Sequence, residues 1–70
     1  MTFEQQIEKE AYIEILNDLI AEYYHANIDS KFIVDFERKL RFSNDYETVI
    51  EAKSIIEDAK AILQESRDTI

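Results

Sequence analysis

The stretch DYETVIEAKSIIEDAKAILQES, residues 45–66, places apolar side chains at intervals of three and four. The residues that share this spacing are Val49, Ala52, Ile56, Ala59 and Leu63. Such a spacing is typical of the seam along which one helix packs against another. The two alanines in the seam allow a neighbouring helix to approach closely. The stretch therefore predicts a long helix over residues 45–66 with one packed side.

The rest of the chain favours helices as well, because its 70 residues include neither glycine nor proline. Those two residues supply most tight hairpins and helix breaks. We expect a first helix over residues 3–26, which begins with a capping box between Thr2 and Gln5 and ends at a left-handed Asn27. Its predicted inner face is formed by Tyr12, Ile15, Leu16, Leu19, Ile20 and Tyr23.

A second, shorter helix is expected over residues 30–42, capped by Asp29 or Ser30. Its apolar face consists of Phe32, Ile33, Phe36 and Leu40. The far side of this helix is basic and carries Lys31, Arg38 and Arg41. The third helix follows after a polar link, where Asn44 and Glu47 stand at capping-box spacing.

These three segments predict an all-α fold with a single domain over residues 1–70. Short links force neighbouring helices to run roughly antiparallel. We therefore expect a three-helix bundle with a long first helix, a short second helix and a long third helix. A helical hairpin that dimerises into a larger bundle is the alternative.

The composition limits the classes of partner. The net charge is −8, from sixteen acidic and eight basic residues, and it repels nucleic acids and anionic membranes but attracts a basic protein. Simple solubility is the other explanation of this charge. No apolar run exceeds three residues, and the start of the chain lacks the pattern of a signal peptide. We therefore expect a cytoplasmic protein that contacts neither a membrane nor nucleic acid directly.

Some apolar residues do not fit the helical faces. Phe3 and Ile7 project with the polar side of the first helix, opposite its predicted core. The other residues out of phase are Val34, Tyr46 and Ile50. One explanation is that the ends of the helices bend or tuck under adjacent loops. The other is that these side chains anchor a partner, because exposed apolar clusters often mark contact surfaces.

The outer side of the first helix also carries an acidic row, Glu10, Glu14, Asp18 and Glu22, at intervals of four. Like charges at this spacing destabilise a helix by about 0.2–0.5 kcal/mol per pair, and no lysine of this row relieves them. A charge run is often only a solvated face. Alternatively, the acidic row docks on a basic protein, imitating the phosphates of a nucleic acid, or faces the basic side of the second helix in another copy.

Few residues suggest chemistry. Glu22 and His25 have the spacing of ligands in di-iron bundles, but a complete site needs two such pairs and two further carboxylates. No cysteine is present and only one histidine, so nucleophilic catalysis lacks its usual groups. We expect neither a metal nor another cofactor, and no enzymatic activity. Tyr24 lies at the edge of the first helix's apolar face and points weakly to binding, since tyrosine is enriched at interfaces.

These features predict a small acidic interaction module that occludes a basic surface of a partner protein. In size and charge it is similar to bacteriocin immunity proteins, antitoxins and phage-encoded inhibitors, although no motif carries the likeness. The predicted binding residues are Phe3, Ile7, Glu10, Glu14, Asp18, Glu22 and Tyr24. The alternative is a homo-oligomeric structural or regulatory bundle, in which the same apolar residues are buried between copies.

Overall fold

The computed structural model describes residues 1–68, which form three α-helices: α1 (Phe3–His25), α2 (Lys31–Phe42) and α3 (Tyr46–Asp68). Each helix packs against the other two, and the described residues contain no strand. The predicted three-helix bundle, with long outer helices and a short middle one, is confirmed. α3 continues two residues beyond its expected end. The last two residues of the expected domain lie outside the described residues.

The first helix begins where the sequence predicts. The Gln5 backbone N–H donates to Thr2 Oγ1 at 3.2 Å, and the Thr2 N–H donates to Gln5 Oε1 at 3.0 Å. This reciprocal pair is the predicted capping box, and it satisfies donors that the helix itself leaves open.

The turn between α1 and α2 uses asparagine in the place of glycine. Asn27 has a φ of 58°, which is left-handed. The Asn27 N–H donates to the Tyr24 carbonyl at 3.1 Å and the Ile28 N–H to the Tyr23 carbonyl at 3.0 Å. This pair of bonds is a Schellman motif, and it directs the half-buried Ile28 side chain onto the core. The chain reverses direction here without any glycine.

The polar link of residues 43–45 supplies the cap of α3 as predicted, but through Asp45 and not through a capping box between Asn44 and Glu47. The structure uses Asp45 instead of Asn44, because Ser43 Oγ accepts the Asp45 N–H at 3.1 Å and delays the start of the helix. Asp45 Oδ1 then accepts the Glu47 N–H at 3.1 Å. At the start of α2, Asp29 Oδ1 accepts the Lys31 N–H at 3.0 Å, while the Ser30 side chain makes no capping bond.

One contiguous core runs through the bundle. Its buried apolar residues are Leu16, Leu19, Tyr23, Ile33, Phe36, Leu40, Val49, Ala52, Ile56, Ala59 and Leu63. The predicted α3 seam is buried throughout, whereas Phe32 is partly exposed and lies edge-on to the Tyr23 ring, 6.0 Å between centroids. The Tyr23 hydroxyl donates to the Ala59 carbonyl at 2.7 Å. Alanine at this position leaves room for the phenol to reach the α3 backbone.

Two charged side chains are buried beside this core, and the sequence analysis did not identify them. Lys9 Nζ donates to the Ser43 carbonyl at 2.7 Å, and the Glu37 carboxylate pairs with Arg41 one turn later. Among the described residues, no buried side-chain polar atom is left without a hydrogen-bond partner. The cost of burying these charges is therefore offset by hydrogen bonds.

The left-handed turn gives a first prediction. We expect Asn27→Ala to lower the free energy of unfolding by about 1 kcal/mol, because a Cβ without a polar group is disfavoured at positive φ. For a domain of this size, the loss corresponds to a fall of about 4–8 °C in Tm. Asn27→Gly is the control and is expected to stay within about 0.5 kcal/mol of the parent. Equal stability of all three proteins in thermal melts would contradict the role of this turn.

Candidate protein-binding face

The outer side of α1 is the candidate site. It lies opposite the buried Leu16, Leu19 and Tyr23, and its residues follow one another at helical spacing from Phe3 towards the C-terminal half. The Phe3 side chain is 80% exposed and Ile7 is 50% exposed. The explanation that these residues tuck under a loop is therefore wrong for both of them. Val34 and Tyr46, in contrast, are half-buried.

Phe3 and Ile7 are exposed because they lie on the outer side of α1, and the packing of α1 on α3 adds to their exposure. The Tyr46 hydroxyl donates to Glu8 Oε2 at 2.8 Å, so the first residue of α3 lies beside Glu8. Residues 3–7 lie ahead of this point and make up more than one helical turn. The beginning of α1 thus projects beyond the start of α3, where no other helix covers Phe3 and Ile7.

The acidic row is exposed, but only part of it lacks a cation. Glu10, Glu14 and Asp18 pair with no lysine or arginine among residues 1–68. Glu22 differs, because Arg67 Nη2 of α3 lies 3.2 Å from its carboxylate. No lysine of the row itself relieves it, and the cation that relieves its last member comes from α3. Three carboxylates remain for an outside partner.

The opposite side of α1 holds Lys9, which is the only lysine or arginine among the first thirty residues. Lys9 is buried, and its bond to the Ser43 carbonyl links α1 to the turn between α2 and α3. Next to it, Glu8 accepts the Tyr46 hydroxyl. These contacts hold α1 against the rest of the bundle directly behind the projecting residues 3–7.

Tyr24 lies apart from the other predicted binding residues. Its side chain is 78% exposed, and its ring lies edge-on to that of His25, with 5.8 Å between the centroids. Twenty-one residues of helix separate Tyr24 from Phe3, which corresponds to about 31 Å. The predicted site is therefore divided between the two ends of the helix.

The candidate metal ligands have other partners. Glu22 is bound by Arg67, and His25 stands against the Tyr24 ring. Within residues 1–68, no three His, Asp or Glu side chains come close enough together to hold a metal ion. The same part of the chain encloses no pocket, and none of its helices is both long and apolar enough to span a bilayer.

Sequence reasoning missed one exposed aromatic residue. Phe42, the last residue of α2, is 80% exposed. α1 and α3 begin at the end of the bundle where α2 stops, so Phe42 shares this end with Phe3, Ile7 and Ile50. We call these four residues the apolar end. The sequence did contain one indication of this exposure, because Phe42 does not fit the spacing of the buried residues of α2.

Comparison with known proteins adds no further constraint. No family model matches the chain, and no curated protein or solved structure is significantly similar to it. The functional argument therefore depends on the surface itself.

Three tyrosines of the bundle, Tyr12, Tyr23 and Tyr46, have raised pKa values. Burial raises the pKa of Tyr12 above its ordinary value of 10.0, and the carboxylates of Glu8 and Glu57 raise it further. The hydrogen bond to Glu8 is the main cause of the raised pKa of Tyr46. For Tyr23, burial alone raises the pKa. All three phenols are therefore held in the neutral, donating form.

These shifts predict alkaline sensitivity. The unfolded chain loses its phenolic protons at lower pH than the folded chain, so rising pH favours unfolding. We expect the contribution of the tyrosines to the free energy of unfolding to be fully present below about pH 10. It should be lost as the pH rises through their raised pKa values in the folded state. Denaturant midpoints from about pH 8 to pH 11 measure this loss.

Tyr23→Phe is expected to flatten the alkaline part of this profile, because one buried phenol no longer titrates. Tyr24→Phe, at an exposed position, is the control. A profile that is the same for Tyr23→Phe and the parent would show that the buried phenol does not couple to folding.

Proposed function

We propose that the protein is a non-enzymatic interaction module that binds a basic partner protein through the outer face of α1. The observation that carries this proposal is that two exposed apolar residues and a row of unpaired carboxylates follow one another on the same side of one helix. Phe3 and Ile7 stand on the projecting turns, and the unpaired Glu10, Glu14 and Asp18 follow along the same side. Protein interfaces commonly combine apolar residues that become buried with charged residues beside them.

The two features have different tasks in this mechanism. The carboxylates attract and orient a cationic surface, and thereby raise the association rate. The apolar side chains supply affinity, since fully burying a side chain such as phenylalanine contributes about 1.5–3 kcal/mol. Charge therefore governs the encounter, and burial of Phe3 and Ile7 slows dissociation.

The partner is a protein because the net charge of −8 opposes approach to phosphates. A basic surface that normally binds nucleic acid is a suitable target, since the carboxylates can occupy the positions of its phosphates. Binding then blocks that surface sterically. This is inhibition of the antitoxin or immunity type, which we assign to the cytoplasm.

Charge reversal tests the electrostatic part of the proposal. We expect this protein, immobilised as the bait, to capture a basic protein in a salt-sensitive manner, and the double variant Glu14→Lys with Asp18→Lys to lose this capture. Circular dichroism should show that the bundle of the variant is intact. The matched control is Glu47→Lys with Asp58→Lys on the exposed side of α3. Both double variants change the net charge from −8 to −4, so only the position of the charges differs. Undiminished capture by the first variant would refute the proposal.

Truncation of the apolar anchors tests the other part. We expect Phe3→Ala and Ile7→Ala each to weaken binding of the captured partner about tenfold or more, mainly through faster dissociation. Their Tm should stay near that of the parent, because neither side chain belongs to the core. Ile62→Ala, at an exposed apolar position of α3 outside the predicted binding face, provides the control. Equal dissociation rates for all the variants in surface binding kinetics would exclude Phe3 and Ile7 as anchors.

A further inference from the structure

Exposed residues on the outer side of α1 follow one another at intervals of four and three along nearly the whole helix. The buried residues of α1 lie on its other side, so the helix carries apolar side chains on two sides. The exposed set is apolar at both ends and polar in the middle, and every member is exposed. Its members are Phe3, Ile7, Glu10, Glu14, Asn17, Ala21 and Tyr24. We call these seven residues the outer stripe.

The alternation of four and three is the repeat with which one helix packs along another. On a straight helix this repeat drifts by about 20° every seven residues, so Tyr24 lies about 60° round the helix from Phe3. The drift is towards the side away from Glu8 and Glu22, which contact α3. A second helix that crosses α1 at about 20° follows this drift. The outer stripe therefore joins the two ends of the candidate site into one surface for a helix.

The distances along α1 favour a helix over an extended chain as the bound segment. Successive members of the outer stripe lie about 5 Å apart along the helix axis. Same-side residues of a partner helix repeat at the same distance, so each layer of contacts stays in register. Same-side residues of an extended chain lie about 6.8 Å apart and fall out of step within a few layers. Contact from Phe3 to Tyr24 needs about 31 Å of partner helix, or about 21 residues.

The middle of the outer stripe determines the charge of that helix. Glu10 and Glu14 are exposed and pair with no lysine or arginine among residues 1–68. The positions of α1 on either edge of the stripe include Glu4 and Asp18 but no lysine or arginine. The cations of α2 form no ion pair with the stripe within the same part of the chain. A basic segment is therefore complementary to the middle of the stripe.

We propose that the basic partner presents a helix of about 21 residues or more, which lies along the outer stripe and reads apolar, basic, apolar on the side that faces α1. The apolar residues of this helix cover Phe3 and Ile7 at one end of α1 and Tyr24 at the other. Its central lysines or arginines meet Glu10 and Glu14. This inference rests on the proposed function, and it specifies the element by which the partner is recognised.

A second copy of the chain does not fit the outer stripe. Two α1 helices packed in parallel set Glu10 and Glu14 against their own equivalents. Two α1 helices packed antiparallel, with Phe3 opposite Tyr24, bring the two Glu14 side chains next to each other at the twofold axis. Like charges meet in both arrangements. Charge complementarity therefore selects a basic helix as the occupant.

Two synthetic helical peptides of identical composition test the order of apolar and basic residues. In the first peptide, leucines face the two ends of the outer stripe and lysines face its middle. In the second, the same residues are reordered so that leucines face the middle and lysines the ends. We expect the first peptide to bind the full chain about tenfold more tightly or better in fluorescence anisotropy. Equal affinities, or circular dichroism that shows no helix in the bound peptide, would overturn the proposal.

Tyr24→Ala tests whether the bound helix spans the whole outer stripe. We expect it to weaken binding of the first peptide about fivefold or more, as Phe3→Ala does at the other end. The matched control is Phe42→Ala, because Phe42 is at least as exposed as Tyr24 but lies on α2. Of the apolar end, only Phe3 and Ile7 belong to the stripe, so this control should leave Kd within about twofold. A Kd that does not respond to Tyr24→Ala in a folded variant would overturn the spanning helix.

The same variants separate this inference from the proposed function. Capture of a basic protein that depends on Phe3 and Glu14 but not on Tyr24 supports the proposed function and overturns the spanning helix. Binding of the first peptide that depends on Tyr24, without capture of any basic protein, supports the helix-binding stripe and counts against the proposed function. A dimer in sedimentation equilibrium that Phe3→Ala and Tyr24→Ala both dissociate would replace the basic helix by a second copy.

Discussion

The hydrogen bond from the Tyr23 hydroxyl to the Ala59 carbonyl fixes the alignment of the two long helices. A phenol can reach a helix backbone only where the intervening side chain is small, and the α3 seam provides an alanine at that height. Together with the bond between Tyr46 and Glu8, it sets α3 more than one turn behind the start of α1. The projection of Phe3 and Ile7 follows from this offset. Core packing thus determines how far the beginning of the candidate binding face extends beyond α3.

Much of this fold could be predicted from the sequence, because it depends on periodicity and caps. The α3 seam and the Thr2–Gln5 capping box are local patterns, and the left-handed Asn27 is the usual substitute for glycine. The exposure of Phe3 could only be posed as a question, since a helical wheel does not tell how far a neighbouring helix extends. That answer required the offset between α1 and α3.

Other features could not be predicted because their partners lie far away in sequence. Lys9 is buried by contact with Ser43, and Glu22 is partly neutralised by Arg67. The helical spacing places Lys9 on the apolar face with Tyr12 and Leu16, but neither it nor the spacing of Glu22 names the distant group that each charge contacts. Phe42 was missed for a different reason: it lies outside the spacing of the buried residues of α2, but the sequence alone does not show that no neighbouring helix covers it.

Lys9 has a further consequence for how the molecule approaches other surfaces. Its ammonium group lies on the core side of α1, while the carboxylates of Glu10, Glu14 and Asp18 lie on the outer side. This separation gives the helix a dipole moment across its width, in addition to the one along its axis. In the field of a cationic surface, such a dipole produces a torque that turns the carboxylates forward before contact. Under the proposed function, encounters with a basic partner therefore begin in an orientation close to that of the complex.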